Sequence, residues 1–171
     1  LKELETVCWV LDICNAKVND SCGFHVHMDA AGFNLDTWKN LTLTYKHLEH
    51  LIDAFMPRTR RNNTYCKTLS GVSDERIKSV RTIDGLREVF NNDRYHKVNF
   101  EAYSRHRTVE FRQHSGTTNF TKMENWIRFL NGLITFAKRS SLPSRMTLEE
   151  LPFLDGKQKL FFKLRTKKLA V

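Results

Sequence analysis

The alternation of apolar and polar side chains predicts two helices flanking one strand in the first third of the chain. Residues 1–18 and 35–55 carry apolar side chains every three to four positions, which is the period of an amphipathic α-helix. Asn34 and Asp36 are candidate N-caps of the second helix, and Pro57 ends it. Between the helices, residues 22–29 alternate in polarity as a half-buried strand does.

The middle of the chain continues this mixture of strands and helices. Residues 58–72 are polar and basic and predict a loop, and a short helix is predicted over residues 83–90. Residues 95–104 and 108–114 then predict two antiparallel strands joined by a tight turn.

The last third of the chain predicts one further long helix and a charged tail. Residues 121–124 (Thr-Lys-Met-Glu) form a capping box that predicts the start of this helix, and residues 147–150 (Thr-Leu-Glu-Glu) repeat the pattern. With no internal repeat and no evident linker, the pattern predicts one α+β domain over residues 1–155. Residues 156–171 are expected to form a basic tail, solvated or facing a partner.

The composition indicates a globular protein, and the net charge of the chain favours an anionic partner. Of 171 residues, 40% are hydrophobic and 12 are Phe, which excludes a disordered chain. The net charge of +9 fits a nucleotide, a nucleic acid, an acidic substrate or a phosphate-bearing surface, and fits a merely soluble basic surface equally well. The basic side chains gather in residues 58–61 and in the tail.

The four cysteines favour a reducing compartment. Cys8, Cys14, Cys22 and Cys66 have neither CxxC nor zinc-finger spacing. Cys8 and Cys14 lie in the first predicted helix, where we expect them to be small core residues. The sequence shows no signal peptide and no apolar run long enough to span a membrane, so we expect an intracellular protein with no membrane partner.

Two strand segments carry the chemistry. Because successive side chains of a strand alternate between faces, His25 and His27 share one face, and Glu110 and Arg112 share one face of a later strand. Asn99 is a further candidate for the same face. Two imidazoles, a carboxylate and a guanidinium suit a metal ion or a phosphate. The alternatives are a solvated strand face for the histidines and a cross-strand ion pair for the acid and base.

A basic stretch could complete such a site. Arg58, Arg60 and Arg61 follow directly after the predicted end of a helix. A solvated loop is the ordinary interpretation of this stretch. If the loop folds over the sheet, its guanidinium groups could hold a triphosphate and stabilise the charge that develops during phosphoryl transfer.

Four segments together resemble the amidoligase family related to glutamine synthetase and glutamate–cysteine ligase. They are residues 22–27, 57–66, 95–100 and 108–117, and they occur in the order of that family, whose members are found in phages and fungi among other sources. The resemblance implies a glutamine-synthetase-like fold, an antiparallel concave sheet backed by helices. It also implies ATP-dependent joining of a carboxylate substrate to an amine substrate through an acyl phosphate, with ATP and Mg²⁺ or Mn²⁺ as cofactors.

The resemblance assigns roles on both strands. His25 and Glu110 match metal ligands, and His27 matches a contact to the nucleotide phosphates. Arg112 matches a catalytic contact to phosphate or to the substrate carboxylate.

The basic stretch matches the family less closely, because that loop varies among its members. Here Arg58 is a candidate catalytic residue, and Arg60 and Arg61 are candidate nucleotide contacts.

One family feature is missing from this pattern. Such ligases begin with a strand carrying Glu-x-Glu, which supplies carboxylates to the metal ions. Glu3 and Glu5 have this spacing but lie in a predicted helix, where positions i and i+2 do not share a face. We therefore expect a fold that is incomplete at its N-terminus, with the site completed by an upstream segment, a partner chain or a second copy in a homo-oligomer.

Two other functions remain open. The first alternative is a non-catalytic binding or structural module that keeps the ligase fold, for example as a component of a phage particle. Nucleic-acid binding rests on charge alone and is the least favoured. The expected location is the cytoplasm, which would be that of the host if a phage encodes the protein, with the virion as the alternative.

Overall fold

The computed structural model describes residues 1–170, which form seven α-helices and one three-stranded antiparallel sheet. The helices are α1 (Lys2–Ile13), α2 (Leu35–Ala54), α3 (Asp74–Ser79), α4 (Ile83–Val89), α5 (Ala102–His106), α6 (Phe120–Ala137) and α7 (Gly156–Leu169). The strands are β1 (Val26–Asp29), β2 (Val98–Asn99) and β3 (Thr108–Phe111), and a 3-10 helix spans Arg58–Arg60. The α+β class predicted from the sequence is confirmed, and the concave sheet of the glutamine-synthetase type stays a prediction.

The sheet has the order β1-β3-β2, so β3 is its central strand. One face of the sheet is apolar, because Val26, Val98, Val109 and Phe111 alternate with the polar positions and are buried. This face belongs to the same hydrophobic core as the buried sides of α2 and α6, which pack against each other. The opposite face of the sheet carries the polar side chains of the candidate site.

Helix caps explain where the two long helices begin. The side chain of Asn34 accepts a hydrogen bond from the backbone N–H of Thr37 (2.8 Å), which confirms it as the N-cap of α2. For α6 the predicted capping box is wrong by two residues. Asn119 is the N-cap, accepting from the N–H of Lys122 (3.0 Å), and Thr121 lies inside the first turn.

The predicted strand over residues 95–104 is the largest error of the sequence analysis. Only Val98–Asn99 pair as a strand, and a short helix, α5, occupies the place of the predicted turn. The side chain of Asn99 accepts a hydrogen bond from the backbone N–H of Glu101 (2.9 Å), which turns the chain out of the sheet. Arg107 ends the helix with a φ of 56°, in the left-handed region.

The basic tail also differs from its prediction as a solvated or partner-facing extension. It forms α7, which starts at a capping box between Asp155 and Gln158. Phe162 on this helix is 2% exposed, and its ring lies 4.4 Å from that of Phe55 at the end of α2. The tail therefore contributes to the core, because Phe162 joins an aromatic cluster there and Phe161 packs against the core.

Smaller differences concern a helix and a cysteine. Helix α3 lies where the sequence analysis predicted no element, and Ser73 caps it. Cys8 is buried as predicted, whereas Cys14 is exposed because it lies beyond the last turn of α1. None of the helices described within residues 1–170 combines the length and apolarity needed to cross a bilayer.

Candidate functional site

A row of three polar side chains crosses the open face of the sheet. In the strand register, His27 of β1 and Asn99 of β2 both lie directly opposite Glu110 of β3. Directly paired residues of antiparallel strands project on the same side of a sheet, so the three side chains meet. Asn99 donates to Oε2 of Glu110 (2.6 Å), and Nε2 of His27 lies 3.7 Å from Oε1.

His25 reaches the same carboxylate from just before β1. Its Nδ1 lies 3.1 Å from Oε1 of Glu110. The backbone just before the residue is paired, since Phe24 donates its N–H to the carbonyl of His114 (2.9 Å) and Gly23 bridges to Ser115. Alternation predicted that His25 and His27 share one face, and in the structure both imidazoles lie beside Glu110.

Gly23 leaves the space in which the ring of His25 sits. A Cβ at this position would lie 2.6 Å from Nε2 of His25 and 3.1 Å from Nη2 of Arg60. Both distances are shorter than those normally found between a Cβ and another side chain. The absence of a side chain at Gly23 therefore lets an imidazole and a guanidinium pack over the same stretch of backbone.

Glu110 is a buried and strongly stabilised carboxylate. Arg112 donates from Nη1 to its Oε1 (3.0 Å), and both side chains are less than a tenth exposed. Burial alone raises the pKa of Glu110, but hydrogen bonds from His25 and Asn99 and the charge of Arg112 outweigh this and lower the pKa to about 2. The acid is therefore ionised throughout the neutral range.

The described residues do not form a metal site by themselves. Mg²⁺ prefers several oxygen ligands, and Glu110 is the single carboxylate of the row, with a guanidinium already bonded to its Oε1. Among residues 1–170, no group of three or more His, Cys, Asp or Glu side chains is placed to hold a metal ion. The predicted metal ligands His25 and Glu110 are adjacent, but their role in binding a metal stays a prediction.

The arginines of the basic stretch are placed differently from one another. Arg60 is buried, and its guanidinium donates to the backbone carbonyls of Arg112 and Gln113. Arg61 donates to the carbonyl of Met56 (3.0 Å), and Arg58 is exposed. The structure thus brings Arg60 close to His25 but engages its N–H groups with the backbone, and the predicted roles of all three arginines remain untested.

A polar cleft of about 540 Å³ opens beside the row, and the sequence analysis missed most of its lining. His27, Asn99 and Glu110 lie on one side of this cleft. The remaining wall is mainly basic: it includes Arg87, Arg94, Arg105 and His106, and its one acid, Glu101, is paired with Arg87. The sequence does contain many basic residues between positions 94 and 107. The predicted strand, however, placed their side chains on both faces of the sheet, so the basic wall was not predicted.

A second polar group, beneath the sheet, was also missed. Lys97 precedes β2 and turns its ammonium group toward α2, where it donates to Glu49 (3.0 Å) and Asp53 (2.8 Å). Gln113 follows β3, donates to Asp53 and accepts from the hydroxyl of Tyr45 (2.7 Å). These bonds attach the segment before β2 and the segment after β3, both of which border the site, to the same helix, α2.

Together these features define an α+β protein in which two exposed histidines contact a buried Glu–Arg pair on the open face of a short antiparallel sheet. The model of the family described as "putative amidoligase enzyme" matches residues 1–134, and the chain belongs to this family. The matched residues include β1, β2 and β3 and every side chain of the cluster. Comparison with curated proteins and with solved structures gave no match.

Proposed function

We propose that this chain forms part of the catalytic domain of an ATP-dependent carboxylate–amine ligase that acts through an acyl phosphate. The observation that carries the proposal is the convergence of His25, His27 and Arg112 on one ionised carboxylate, Glu110, within the residues matched by the amidoligase family. A cluster of this kind on an open sheet face, beside a basic cleft, suits a site for an anionic ligand.

The proposed reaction has two steps. The γ-phosphoryl group of ATP is transferred to an oxygen of the carboxylate substrate, which releases ADP and forms the acyl phosphate. The amine then attacks the acyl carbon, the C–O bond to phosphate breaks, and an amide, inorganic phosphate and a proton result. Both steps bring several negative charges together, so their catalysis depends on fixed cationic donors.

Within this scheme, Arg112 binds and orients an anionic oxygen of phosphate or of the carboxylate substrate. Its guanidinium is held by Glu110 and by the carbonyl of Tyr65 (3.4 Å), and its carbon atom Cζ lies 5.4 Å from the centre of the Tyr95 ring. His27 is the more exposed imidazole and extends the donor set toward the cleft. Glu110 positions these cationic groups.

Mg²⁺ or Mn²⁺ would supply charge neutralisation of the phosphates when bound. His25 offers a nitrogen and Glu110 the single carboxylate of the cluster, which are too few ligands for either ion, so we propose that carboxylates from outside the described residues complete such a site. A second copy of the chain or another segment would serve equally, since His25 and His27 are exposed on this face of the sheet.

A second function is supported by a separate observation. Both oxygens of Glu110 already have donors, Asn99 on one and Arg112 on the other, as in a purely structural ion-pair network. This arrangement fits a non-catalytic module that keeps the ligase fold for binding or assembly, for instance in a phage particle.

Calorimetric titration with a non-hydrolysable ATP analogue and Mg²⁺ distinguishes the two functions. We expect the wild-type chain to bind and Glu110→Gln to bind at least tenfold more weakly, because the cationic groups lose their positioning partner. Glu124→Gln is the matched control, since Glu124 pairs with Arg128 on α6 (2.8 Å) and does not line the cleft, and it should bind as the wild type does. Absence of nucleotide binding by the wild-type chain would reject the ligase proposal and favour the module.

A further inference from the structure

We propose that the cleft beside Glu110 binds the phosphate groups of the nucleotide, and that Arg94, Arg105 and His106 are its anion-binding residues. This inference rests on the proposed ligase function and assigns the nucleotide to a particular part of the site. The three residues come from two segments, the connection before β2 and helix α5, which the fold brings to one wall.

The size and position of the cleft suit a ligand of this class. Its volume of about 540 Å³ lies within the range of small-molecule sites. Glu110 and His27 line it, so a ligand bound there reaches the cluster on the sheet. The ring of His106 lies edge-on to that of His27 at 5.8 Å, which makes the basic wall and the cluster continuous.

The arginines of the wall differ in whether a carboxylate neutralises their charge. Arg87 is paired with Glu101 and with Asp84 (3.0 Å). Arg94 and Arg105 have no carboxylate within ion-pair distance among residues 1–170, and both are exposed. Two uncompensated guanidinium groups that line one cleft attract an anion.

Arg60 and Arg61, which the sequence predicts as nucleotide contacts, are less suited to binding phosphate. Arg60 is 5% exposed and donates to two backbone carbonyls, and Arg61 donates to a third. Neither residue lines the cleft. Arg94 and Arg105 line it and are exposed, which is why we assign the phosphates to them.

Charge and polarity favour a nucleotide phosphate over a carboxylate substrate. One guanidinium fork satisfies a carboxylate, whereas this wall offers two uncompensated guanidinium groups and an imidazole. Glu101, which lines the same cleft, is paired with Arg87, so its negative charge is compensated within the wall.

The test measures binding of three probes to the full chain by calorimetry at low ionic strength. The probes are inorganic tripolyphosphate, a non-hydrolysable ATP analogue and glutarate as a dicarboxylate. Arg94→Gln and Arg105→Gln should each weaken binding of the first two probes about tenfold, and the double variant about a hundredfold, because each removes a charge-assisted hydrogen bond. Arg139→Gln, an exposed arginine beyond α6, is the control for net charge and should bind within about twofold of the wild type.

The outcomes separate this inference from the proposed function. If the double variant binds the ATP analogue as tightly as the wild type does, the cleft assignment is overturned while the ligase proposal stands. If glutarate displaces tripolyphosphate at comparable concentration, the cleft is a carboxylate site and the assignment is again overturned. Tripolyphosphate binding that depends on both arginines, without binding of the ATP analogue, overturns the assignment to a nucleotide and rejects the dependence on ATP.

Discussion

The ammonium group of Lys97 lies 3.0 Å from the carboxylate of Glu49, and the lysine side chain is only 1% exposed. Asp53, one turn further along α2, lies 2.8 Å from the same nitrogen. The contact fixes the chain just before β2, where Asn99 must meet Glu110. This buried ion pair lies on the core side of the sheet. It holds the polar row on the opposite, open side of the sheet in register.

We predict that Lys97→Met lowers the free energy of unfolding by about 3–5 kcal/mol, because it leaves the carboxylate of Glu49 buried without its cation. Lys67→Met is the matched control. Lys67 pairs with Asp93, but its side chain is 42% exposed, so its loss should cost at most about 1 kcal/mol. Urea unfolding of both variants measures the difference, and equal losses would show that burial does not set the strength of the Lys97 pair.

The lowered pKa of Glu110 predicts a specific loss of stability in acid. Its folded-state pKa of about 2 lies below the ordinary 4.5, so the unfolded chain binds the proton first as the pH falls. The stabilisation is complete above about pH 4.5 and is lost as the pH falls toward 2, by about 3 kcal/mol in total.

Glu110→Gln isolates this effect from that of other acids, since the pKa values of Asp74 and Asp93 are lowered as well. The variant should be less stable than the wild type at pH 7, and the difference should shrink between pH 4.5 and 2. Urea unfolding at several pH values tests this, and two parallel curves would contradict it.

His114 should stay neutral well into the acid range. Burial is the main cause that lowers its pKa, to about 4 from the ordinary 6.5. Because the unfolded chain takes up this proton first, stability is full above about pH 6.5 and falls as the pH drops toward 4. An NMR titration of the imidazole should find its midpoint near 4, and a midpoint near 6.5 would show that the ring is solvated.

The polar face of the sheet could be predicted because strand alternation is a local property. Alternation placed His25 with His27 and Glu110 with Arg112, and the structure brings these four side chains together. The partner positions depend on register, which the local pattern does not contain. That Asn99 lies opposite Glu110 follows from the pairing of β2 with β3, and the sequence analysis had offered Asn99 merely as a further candidate for this face.

Other features depended on contacts between distant parts of the chain. Residues 102–106 continue a pattern compatible with a strand, but a side-chain turn at Asn99 and a left-handed residue at Arg107 make them helical. The basic wall of the cleft follows from that helix and was therefore missed. Charge dominates the tail, and the burial of its Phe162 requires an aromatic partner more than a hundred positions away, at Phe55.

Gly23→Ala should disturb the cluster without replacing any of its side chains. The added methyl group would lie 2.6 Å from Nε2 of His25, so we expect the ring to turn away from Glu110 and stability to fall by about 1–3 kcal/mol. Gly71→Ala is the control, because a Cβ there meets nothing within 4 Å. Thermal unfolding together with the NMR shift of the His25 imidazole measures both effects, and an unchanged His25 signal would contradict the predicted packing.

The last prediction concerns the helix formed by the tail. The ring of Phe162 lies 4.4 Å from that of Phe55 and 5.5 Å from that of Phe129 on α6, so its removal leaves a cavity among aromatic rings. Phe162→Ala should lower the free energy of unfolding by about 3–5 kcal/mol. Leu160→Ala removes an apolar side chain from the same helix, but this one is 57% exposed and should cost less than about 1 kcal/mol.

Urea unfolding of the two variants shows whether α7 is part of the cooperative unit. If Phe162→Ala is as mild as Leu160→Ala, the helix does not contribute its aromatic ring to the core in solution. If the large loss is found, the segment beyond the family match is required for the stability of the matched part. The reason is that the cluster around Phe55 joins the end of α2 to α6, and α2 also carries the carboxylates that hold Lys97.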